Sequence, residues 1–381
     1  MRIGINALYL LPGKVGGSEI YVRNLVKWLS RVDSANEYFI FVNRESAGVF
    51  ESLAPGAKIV ECPIRAASRP LRILWEQIAL PFQAGRRKLD ILLSAGMTSP
   101  FFCTVPSIVV IYDLQHINQP ENFNRWYLFF LKAVIYLSAK TSKGVITLSE
   151  KSKEDIVRLY NISPERVGVT YMASDSEAFF KRGAAEVASI RKKYGLPERF
   201  ILYIASSLPH KNYRRLLSAF KSVKGTNSGI KLVLIGARDY GRDAIIGTIE
   251  ELGLTEDVKF LGWLPFEDIP LIYSAAELFV FPSLHEGFGI PVVEAFACGV
   301  PVVCSGIEPL KEVAAGAACL VDPLSVEEMA EGIGKVLTER PLRERLVRDG
   351  LKRAAEFSWE KTARETLSIM GEFLKGRQGG L

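Results

Sequence analysis

A chain of 381 residues is too long for one typical domain and suits two domains, each with its own hydrophobic core. The formal net charge of +6 favours anionic partners, but it does not choose among nucleotide, nucleic acid and acidic lipid. The five cysteines form no Cys-x-x-Cys pair and only three histidines are present, which argues against a zinc cluster or a disulfide framework and fits a reducing cytosol.

The N-terminal residues read as a strand and lack the apolar core of a signal peptide, and no apolar run approaches the length of a membrane span. We therefore expect a cytoplasmic protein.

Short apolar runs alternate with helical patterns through the first half of the chain. They predict strands at residues 2–7, 38–42, 58–62, 90–93, 107–112, 144–148 and 167–171. This alternation is typical of a doubly wound, mostly parallel α/β sheet. We place a first domain at residues 1–175.

A glycine-rich loop follows the first predicted strand. It ends in Gly16 and Gly17, before a helix that we expect Ser18 to cap. Backbone N–H groups in such a loop can face an anion with no side chain in the way, which makes Gly17 a candidate phosphate contact. The alternative is a loop that only needs a sharp entry into the helix. A Walker A loop is excluded, because Gly13-Lys14 lacks the spacing and the following Ser or Thr.

Two segments of the first half combine apolar and basic residues. Residues 68–90 and 125–137 are rich in aliphatic and aromatic side chains, and arginines and lysines flank the first of them. Such a composition suits a helix on a membrane surface, where apolar burial and attraction to anionic lipid act together. It suits a buried crossover helix with solvated ends equally well. The two interpretations differ in whether the apolar face is exposed.

Polar residues follow the strand at 107–112 and begin the helix after 144–148. Tyr112, Asp113 and His116 come at or just after the carboxyl end of the first of these strands, where ligands of parallel sheets bind. A single histidine is more often packed than functional. Ser149 precedes a helical pattern and is expected to act as its N-cap.

Apolar runs in the second half predict strands at 200–204, 231–236, 258–262, 278–281 and 302–304. We place a second domain at residues 195–357, a charged connecting segment before it, and a final helix within 358–381. Lys211 falls between the strand at 200–204 and the next helix. A lysine there adds a point charge to helix amides that favour a diphosphate.

The loop after the strand at 278–281 carries the strongest pattern in the chain, Glu286-Gly-Phe-Gly-Ile-Pro-Val-Val-Glu294. Gly289 allows close approach of a ligand, and Pro291 suits the first helical position. We expect the helix to begin near Pro291, with Glu294 in its first turn. Either carboxylate alone is better explained by solvation or by the helix dipole. The glycines, the proline and the short helix between them favour a phosphate site instead.

These motifs resemble those of glycosyltransferase family 4, the retaining sugar-nucleotide transferases of GT-B fold. The Glu-x7-Glu match at Glu286 and Glu294 is the most specific. The elements around Lys211 and Ser149, and Phe357-Ser-Trp-Glu, are similar too. Residues 112–123 resemble the His-Asp-Leu-Gln-His…Pro-Glu-Phe element of a mannosyltransferase branch, with Tyr112 in place of its first histidine. Tyrosine still donates a hydrogen bond, but it does not carry a proton near neutral pH.

The resemblance implies two Rossmann-like parallel-sheet domains facing a cleft, with a C-terminal helix crossing back to the N-terminal domain. It implies transfer of a hexosyl group, with mannose from GDP-mannose the first choice, to a glycan or lipid-linked glycan acceptor. It assigns catalysis to Glu286, Lys211 and Tyr112, and acceptor contacts to Asp113 and His116. The implied donor-binding residues are Gly17, Ser206, Phe288, Gly289, Ile290 and Glu294.

No cofactor or metal is implied, because lysine and helix dipoles replace a cation and no Asp-x-Asp occurs. A UDP-sugar-dependent glucosyl-, galactosyl- or N-acetylglucosaminyltransferase is the alternative, followed by a noncatalytic nucleotide-sugar binding protein. An NAD-dependent oxidoreductase would need a Gly-x-Gly-x-x-Gly turn after the first strand, and none is present. Nucleic acid is not expected as a partner. Peripheral association with the inner face of the cell membrane fits the two apolar segments.

Overall fold

The computed structural model describes residues 1–14, 16–120, 124–236 and 241–375. They form two compact units. The first comprises Met1–Met172 together with the last helix, α14 (Trp359–Lys375), and the second comprises Ala173–Ser358. Each unit contains one parallel β-sheet with helices in the connections.

The described part of the first unit holds a seven-stranded sheet. Its strands are β1 (Arg2–Asn6), β2 (Glu37–Val42), β3 (Lys58–Glu61), β4 (Ile91–Ser94), β5 (Ser107–Val110), β6 (Gly144–Thr147) and β7 (Val167–Val169). Their order is β3-β2-β1-β4-β5-β6-β7, and all are parallel. All seven strands confirm the sequence predictions. β5 and β7 end two residues earlier than predicted, so Tyr112 lies past the strand.

The described residues of the first unit form five further α-helices: α1 (Gly17–Val32), α2 (Arg69–Arg86), α3 (Gln115–Asn118), α4 (Arg125–Thr141) and α5 (Glu150–Tyr160). Ser149 is confirmed as the N-cap of α5, since its hydroxyl accepts the Ser152 N–H at 3.1 Å. The prediction that Ser18 caps α1 was wrong. That helix already begins at Gly17, and Gly16 takes the N-cap position with a φ of 63°.

Helix α14 packs against α1 and against strands β6 and β7 of the first sheet. A Cβ at Gly144 of β6 would lie 2.0 Å from the ring of Phe373, and one at Gly168 of β7 would lie 2.7 Å from Ile369. The Thr362 hydroxyl donates to the Tyr171 carbonyl at 2.5 Å. These glycines therefore leave the space in which α14 lies against the sheet.

The described part of the second unit holds a six-stranded sheet, again all parallel. Its strands are β8 (Phe200–Ile204), β9 (Lys231–Ile235), β10 (Val258–Gly262), β11 (Leu278–Phe281), β12 (Val302–Ser305) and β13 (Cys319–Val321). Their order is β10-β9-β8-β11-β12-β13. The first five confirm the predicted strands, whereas β13 was not predicted. It has three residues, too few for a clear pattern.

The helices of the second unit are α6 (Ala184–Tyr194), α7 (Tyr213–Thr226), α8 (Arg242–Glu251), α9 (Ile269–Ala275), α10 (Ile290–Ala297), α11 (Glu308–Ala314), α12 (Val326–Thr338) and α13 (Arg340–Ala355). The segment before residue 195, expected as a connection outside the second domain, belongs to this unit. Phe179 packs edge-on against Tyr273 of α9, and the Arg182 N–H donates to Ser274 of the same helix. Within the described residues, none of the helices combines the length and apolarity needed to cross a bilayer.

Helices α10 and α13 are in close contact at one glycine. A Cβ on Gly350 of α13 would lie 2.7 Å from the ring of Phe296, which is fully buried in α10. We expect Gly350→Ala to lower the free energy of unfolding by about 1–3 kcal/mol, because a buried ring at this distance has to move. Chemical denaturation measures this change.

The matched control is Gly334→Ala in α12, where an added Cβ meets nothing within 4 Å among the described residues. That variant should gain up to about 1 kcal/mol from helix propensity alone. Equal stabilisation of both variants would contradict the close packing of α10 on α13.

Candidate active site

The strand order of the second sheet changes direction between β8 and β11. The connection from β8 leads to β9 on one side, whereas β11 continues to β12 on the other. Ligands of open α/β sheets bind at the carboxyl ends of the strands beside such a switch point. The loop after β8 carries Lys211, and the loop after β11 carries Glu286.

Hydrogen bonds join these two loops. Asn212 adopts a left-handed conformation with a φ of 63°, which asparagine tolerates better than most residues. Its side-chain amide donates to the carbonyls of Pro282, at 3.0 Å, and Pro323, at 2.7 Å. The Leu284 N–H donates to the His210 carbonyl at 2.8 Å. Lys211 is thereby held on a short 3-10 turn beside the loop of β11.

Lys211 and Glu286 form an ion pair, with Nζ 2.5 Å from Oε1. Their side chains are only 15% and 13% exposed, and Nζ lies 5.4 Å from the centre of the Phe281 ring. Removal of one partner of such a mostly buried ion pair destabilises the protein, because the other charge stays behind uncompensated. The pair therefore places a cation and a carboxylate side by side at the switch point.

The glycine loop leading into α10 is shaped by its packing. Gly289 has a φ of 103°, and a Cβ there would lie 2.3 Å from Leu310, so a larger residue is doubly disfavoured. The Phe288 ring is buried against Phe357, with centroids 5.6 Å apart. Ile290 is half-buried and starts the helix. The backbone of residues 288–290 is thus fixed at the helix N-terminus.

The prediction that Glu294 lies in the first turn of the helix was wrong. Because α10 begins at Ile290, Glu294 is in the second turn and is only 8% exposed. Its carboxyl accepts the hydroxyl of Tyr273 from α9 at 3.2 Å. Burial raises the pKa of Glu294 to about 8, although the tyrosine hydrogen bond acts in the opposite direction. Burial therefore favours the protonated, neutral form of this carboxyl near neutral pH.

Several residues at this site were not found from the sequence. Tyr273 carries no local motif, and Asn212 was given no role although it follows Lys211 in the element similar to the family's. The roles of both arise from contacts with distant parts of the chain. The imidazole Nε2 of His285, next to Glu286, is buried and has no hydrogen-bond partner among the described residues. Its place directly before the Glu-x7-Glu motif was the available signal.

The candidates of the first unit have mostly structural contacts. The Tyr112 hydroxyl donates to the Ala95 carbonyl at 2.6 Å, and burial raises the pKa of Tyr112 well above its usual value. His116 is 2% exposed, lies 2.8 Å from the Tyr160 hydroxyl, and has a pKa lowered to about 4 by burial. Packing is the role that this environment favours for His116. The half-buried Asp113 accepts the Gln115 N–H at 3.0 Å.

The start of α1 is open around Gly17. A Cβ at Gly16 or Gly17 would meet nothing within 4 Å among the described residues. Glu19, which the sequence analysis did not single out, accepts the Gly13 N–H at 2.7 Å and so fixes part of this loop. In the second unit, Ser206 is exposed just after β8. Residues 121–123, which carry part of the Pro-Glu-Phe resemblance, lie outside the described residues.

Metal ions need several ligands close together. Across the ranges that the structure covers, no three His, Cys, Asp or Glu side chains are grouped in that way.

The fold and the switch-point site define a class of protein. HepE of Anabaena, whose structure was solved in complex with UDP-glucose, superposes with a TM-score of 0.77 over 98% of this chain and 100% of its own, at 20% sequence identity. The two parallel-sheet, Rossmann-like units have the GT-B fold.

Sequence comparison identifies the family. Residues 15–177 match the profile "Glycosyltransferase Family 4", and residues 186–353 match "Glycosyl transferases group 1". The O-antigen chain mannosyltransferase B of Escherichia coli is 33% identical over 265 residues, which cover 69% of each chain. The chain belongs to glycosyltransferase family 4.

A longer relative matches over part of its length. The serotype-specific mannosyltransferase WbdA of Escherichia coli is 30% identical over 222 residues, or 57% of this chain. The match spans only 27% of WbdA, so it relates this chain to one part of that protein.

Proposed function

We propose that this glycosyltransferase moves a mannosyl group from GDP-mannose, with retention of configuration, to a glycan or lipid-linked glycan acceptor. The observation that carries the proposal is the Lys211–Glu286 pair at the switch point of the second sheet. It sets a cation that suits a diphosphate beside a carboxylate that suits sugar hydroxyls. The similarity to the O-antigen chain mannosyltransferase B and to the serotype-specific mannosyltransferase WbdA supports mannose as the sugar.

The first physical task is to stabilise the departing diphosphate. Lys211 supplies a full positive charge, and the first turn of α10 adds unpaired amides and the positive end of the helix dipole. Both are held by the surrounding packing before the donor arrives, so little reorganisation is needed when charge develops on the leaving group. These groups do the work that a metal ion would do elsewhere, and we propose metal-independent transfer.

The second task is to orient the donor. When Lys211 forms an ion pair with the diphosphate, Glu286 becomes available to accept hydrogen bonds from sugar hydroxyls. The backbone of Phe288 and Gly289 contributes to the same donor site. We assign Glu294 to the ribose hydroxyls, whose hydrogen bonds favour the ionised form of this carboxyl and so oppose the effect of burial. The exposed Ser206 and the half-buried Ile290 complete the proposed donor contacts.

The first unit is assigned to the acceptor and to the donor phosphate. The open amides at Gly17 suit a phosphate. We also assign Asp113 to contact with the acceptor. Tyr112 positions the segment after β5 through the Ala95 carbonyl and does not act as a proton carrier. A UDP-hexose is the second candidate donor, because HepE was solved in complex with UDP-glucose.

A thermal-shift panel tests the donor. With GDP, UDP, ADP and NAD, each with and without Mg²⁺, we expect GDP to raise the melting temperature without the metal. At 100 times the dissociation constant the gain corresponds to about 2.7 kcal/mol. A UDP shift would keep the enzyme class and change the donor. A shift with NAD alone, or a GDP shift that requires Mg²⁺, would contradict the proposal.

Turnover separates a transferase from a protein that only binds its donor. We expect steady release of GDP from GDP-mannose with a mannose-terminated glycan acceptor. Proton NMR of the product should show the anomeric configuration of the donor, and the opposite configuration would overturn the assignment of retention.

A further inference from the structure

We propose that the first unit docks on an anionic lipid bilayer through one exposed apolar surface. This docking surface consists of four residues of α2 and two of α4: Leu71, Leu74, Ile78, Phe82, Trp126 and Phe129. It goes beyond the transferase chemistry, because none of these side chains belongs to the candidate active site.

Helix α2 has apolar residues on two opposite faces. One face is buried and includes Ile73, Leu80 and Ala84. The other carries the four α2 residues of the docking surface at spacings of three and four, so they form one stripe. Their side chains are between 56% and 67% exposed. Single exposed apolar residues are common, but a continuous stripe of this kind marks an interaction site.

Polar contacts hold the buried face of α2 against the sheet. The apolar stripe on the opposite face therefore points away from the sheet. Glu76 is 1% exposed, accepts the side-chain amide of Asn6 at 3.2 Å and lies 3.8 Å from Arg72. Asn6 ends β1, so this cluster ties α2 to the sheet. Turning the helix to bury the stripe would expose these partners and the apolar side chains around them.

Helix α4 continues the surface with its two aromatic residues. Trp126 is 86% exposed and Phe129 is 75% exposed, at a spacing of three residues. The guanidinium of Arg69, at the start of α2, donates to the hydroxyl of Tyr127 in α4 at 2.7 Å. The N-terminal ends of the two helices are therefore adjacent.

The loop between β4 and β5 connects the two helices further along. The Gln77 side chain donates to the Ser99 carbonyl at 3.1 Å, and the Ser99 N–H donates to the Ser138 hydroxyl at 3.0 Å. This loop also presents Phe102, which is 88% exposed. The three elements α2, the loop and α4 are therefore neighbours, and each exposes large apolar side chains.

The charges around the docking surface select the partner. Exposed basic residues lie before, at the ends of and after the two helices, among them Arg65, Arg86 and Arg125. Glu76 is the single carboxylate within α2 and α4, and it is buried on the opposite face. An anionic bilayer satisfies both the apolar and the basic residues. A second copy of this chain would bring like charges together, which disfavours a dimer through this face.

Flotation of the full chain with vesicles tests the proposal. We expect the protein to float with vesicles of phosphatidylcholine and phosphatidylglycerol, and much less with phosphatidylcholine alone. Leu74→Ser combined with Ile78→Ser should reduce partitioning at least about tenfold, because apolar area no longer leaves water. The matched control, Leu324→Ser with Leu351→Ser, removes two exposed leucines of the second unit and should bind as the wild type.

Charge variants test the lipid headgroup. Arg65→Gln with Arg86→Gln should weaken binding to the anionic vesicles about fivefold per charge, whereas Lys192→Gln with Lys221→Gln, exposed on the second unit, should not. Trp126 fluorescence should shift to shorter wavelength on binding, and the shift should be missing in Trp126→Phe.

Three results would overturn the docking surface. One is a wild-type protein that stays off anionic vesicles, and another is an equal loss of binding in the control variants. The third is a wild-type protein that does not bind vesicles but forms a dimer in sedimentation velocity, when the Leu74→Ser, Ile78→Ser double variant is monomeric. The nucleotide-induced thermal shift should be unchanged in every docking variant, so this proposal and the proposed donor fail independently.

Discussion

Lys211→Ala should lower kcat/KM for hexosyl transfer by about 10²–10³, the loss typical when one preorganised electrostatic group is removed from a transition state. The variant lacks the charge that stabilises the departing diphosphate, and Glu286 is left mostly buried without its ion-pair partner. Its melting temperature should fall as well. Release of GDP with an acceptor measures the first effect, and thermal unfolding measures the second.

A second substitution separates catalysis from stability. Glu286→Gln should also lower turnover, because an amide accepts sugar hydroxyls less strongly than a carboxylate. Combining Lys211→Ala with Glu286→Gln removes both charges of the pair, so the double variant should regain stability relative to Lys211→Ala but stay inactive. Lys221→Ala, on the exposed surface of α7, is the control. Wild-type turnover in both single variants would refute the site assignment.

The second large effect concerns Glu294 and pH. Burial raises the pKa of this carboxyl from 4.5 to about 8, so between these pH values the folded protein binds a proton that the unfolded chain does not. Stability must therefore fall as the pH rises from about 4.5 to 8. Glu294→Gln removes the ionisable group and keeps its shape. We expect the variant to be more stable than the wild type at pH 8, by a few kcal/mol, with the difference disappearing towards pH 4.5.

Chemical denaturation of both proteins at pH 5, 6, 7 and 8 measures this difference. Glu328→Gln is a suitable control, because Glu328 lies at the surface in the first turn of α12. A gap between Glu294→Gln and the wild type that stays constant across the pH range would show that Glu294 is ionised throughout. The GDP-induced thermal shift should shrink in Glu294→Gln if the carboxylate binds the ribose.

The position of α14 shows what local patterns leave out. The resemblance of Phe357-Ser-Trp-Glu predicts a helix in the last segment of the chain. Its contact surface depends on Gly144 and Gly168, which lie about 200 residues earlier and read only as ordinary strand residues. A glycine that leaves space for a side chain far away in the chain produces no pattern among its own neighbours in the sequence.

The apolar segments of the first unit are a related case. Their composition favoured a buried crossover helix and a membrane-surface helix equally. The spacing of Leu71, Leu74 and Ile78 describes a stripe in either interpretation. Only the packing of Glu76 and Arg72 against the sheet shows that this stripe faces away from the core.

The sequence by itself determined the features that depend on neighbouring residues. Twelve strands of the two parallel sheets, the Ser149 cap, and the loop and short helix between Glu286 and Glu294 follow from periodicity, capping and glycine placement. Tertiary structure decided which groups meet: the Lys211–Glu286 pair and the burial of Glu294 beside Tyr273. A hydrogen bond, an ion pair or a pKa depends on distance and solvent exposure, and these are fixed only when strands far apart in the chain pair in one order.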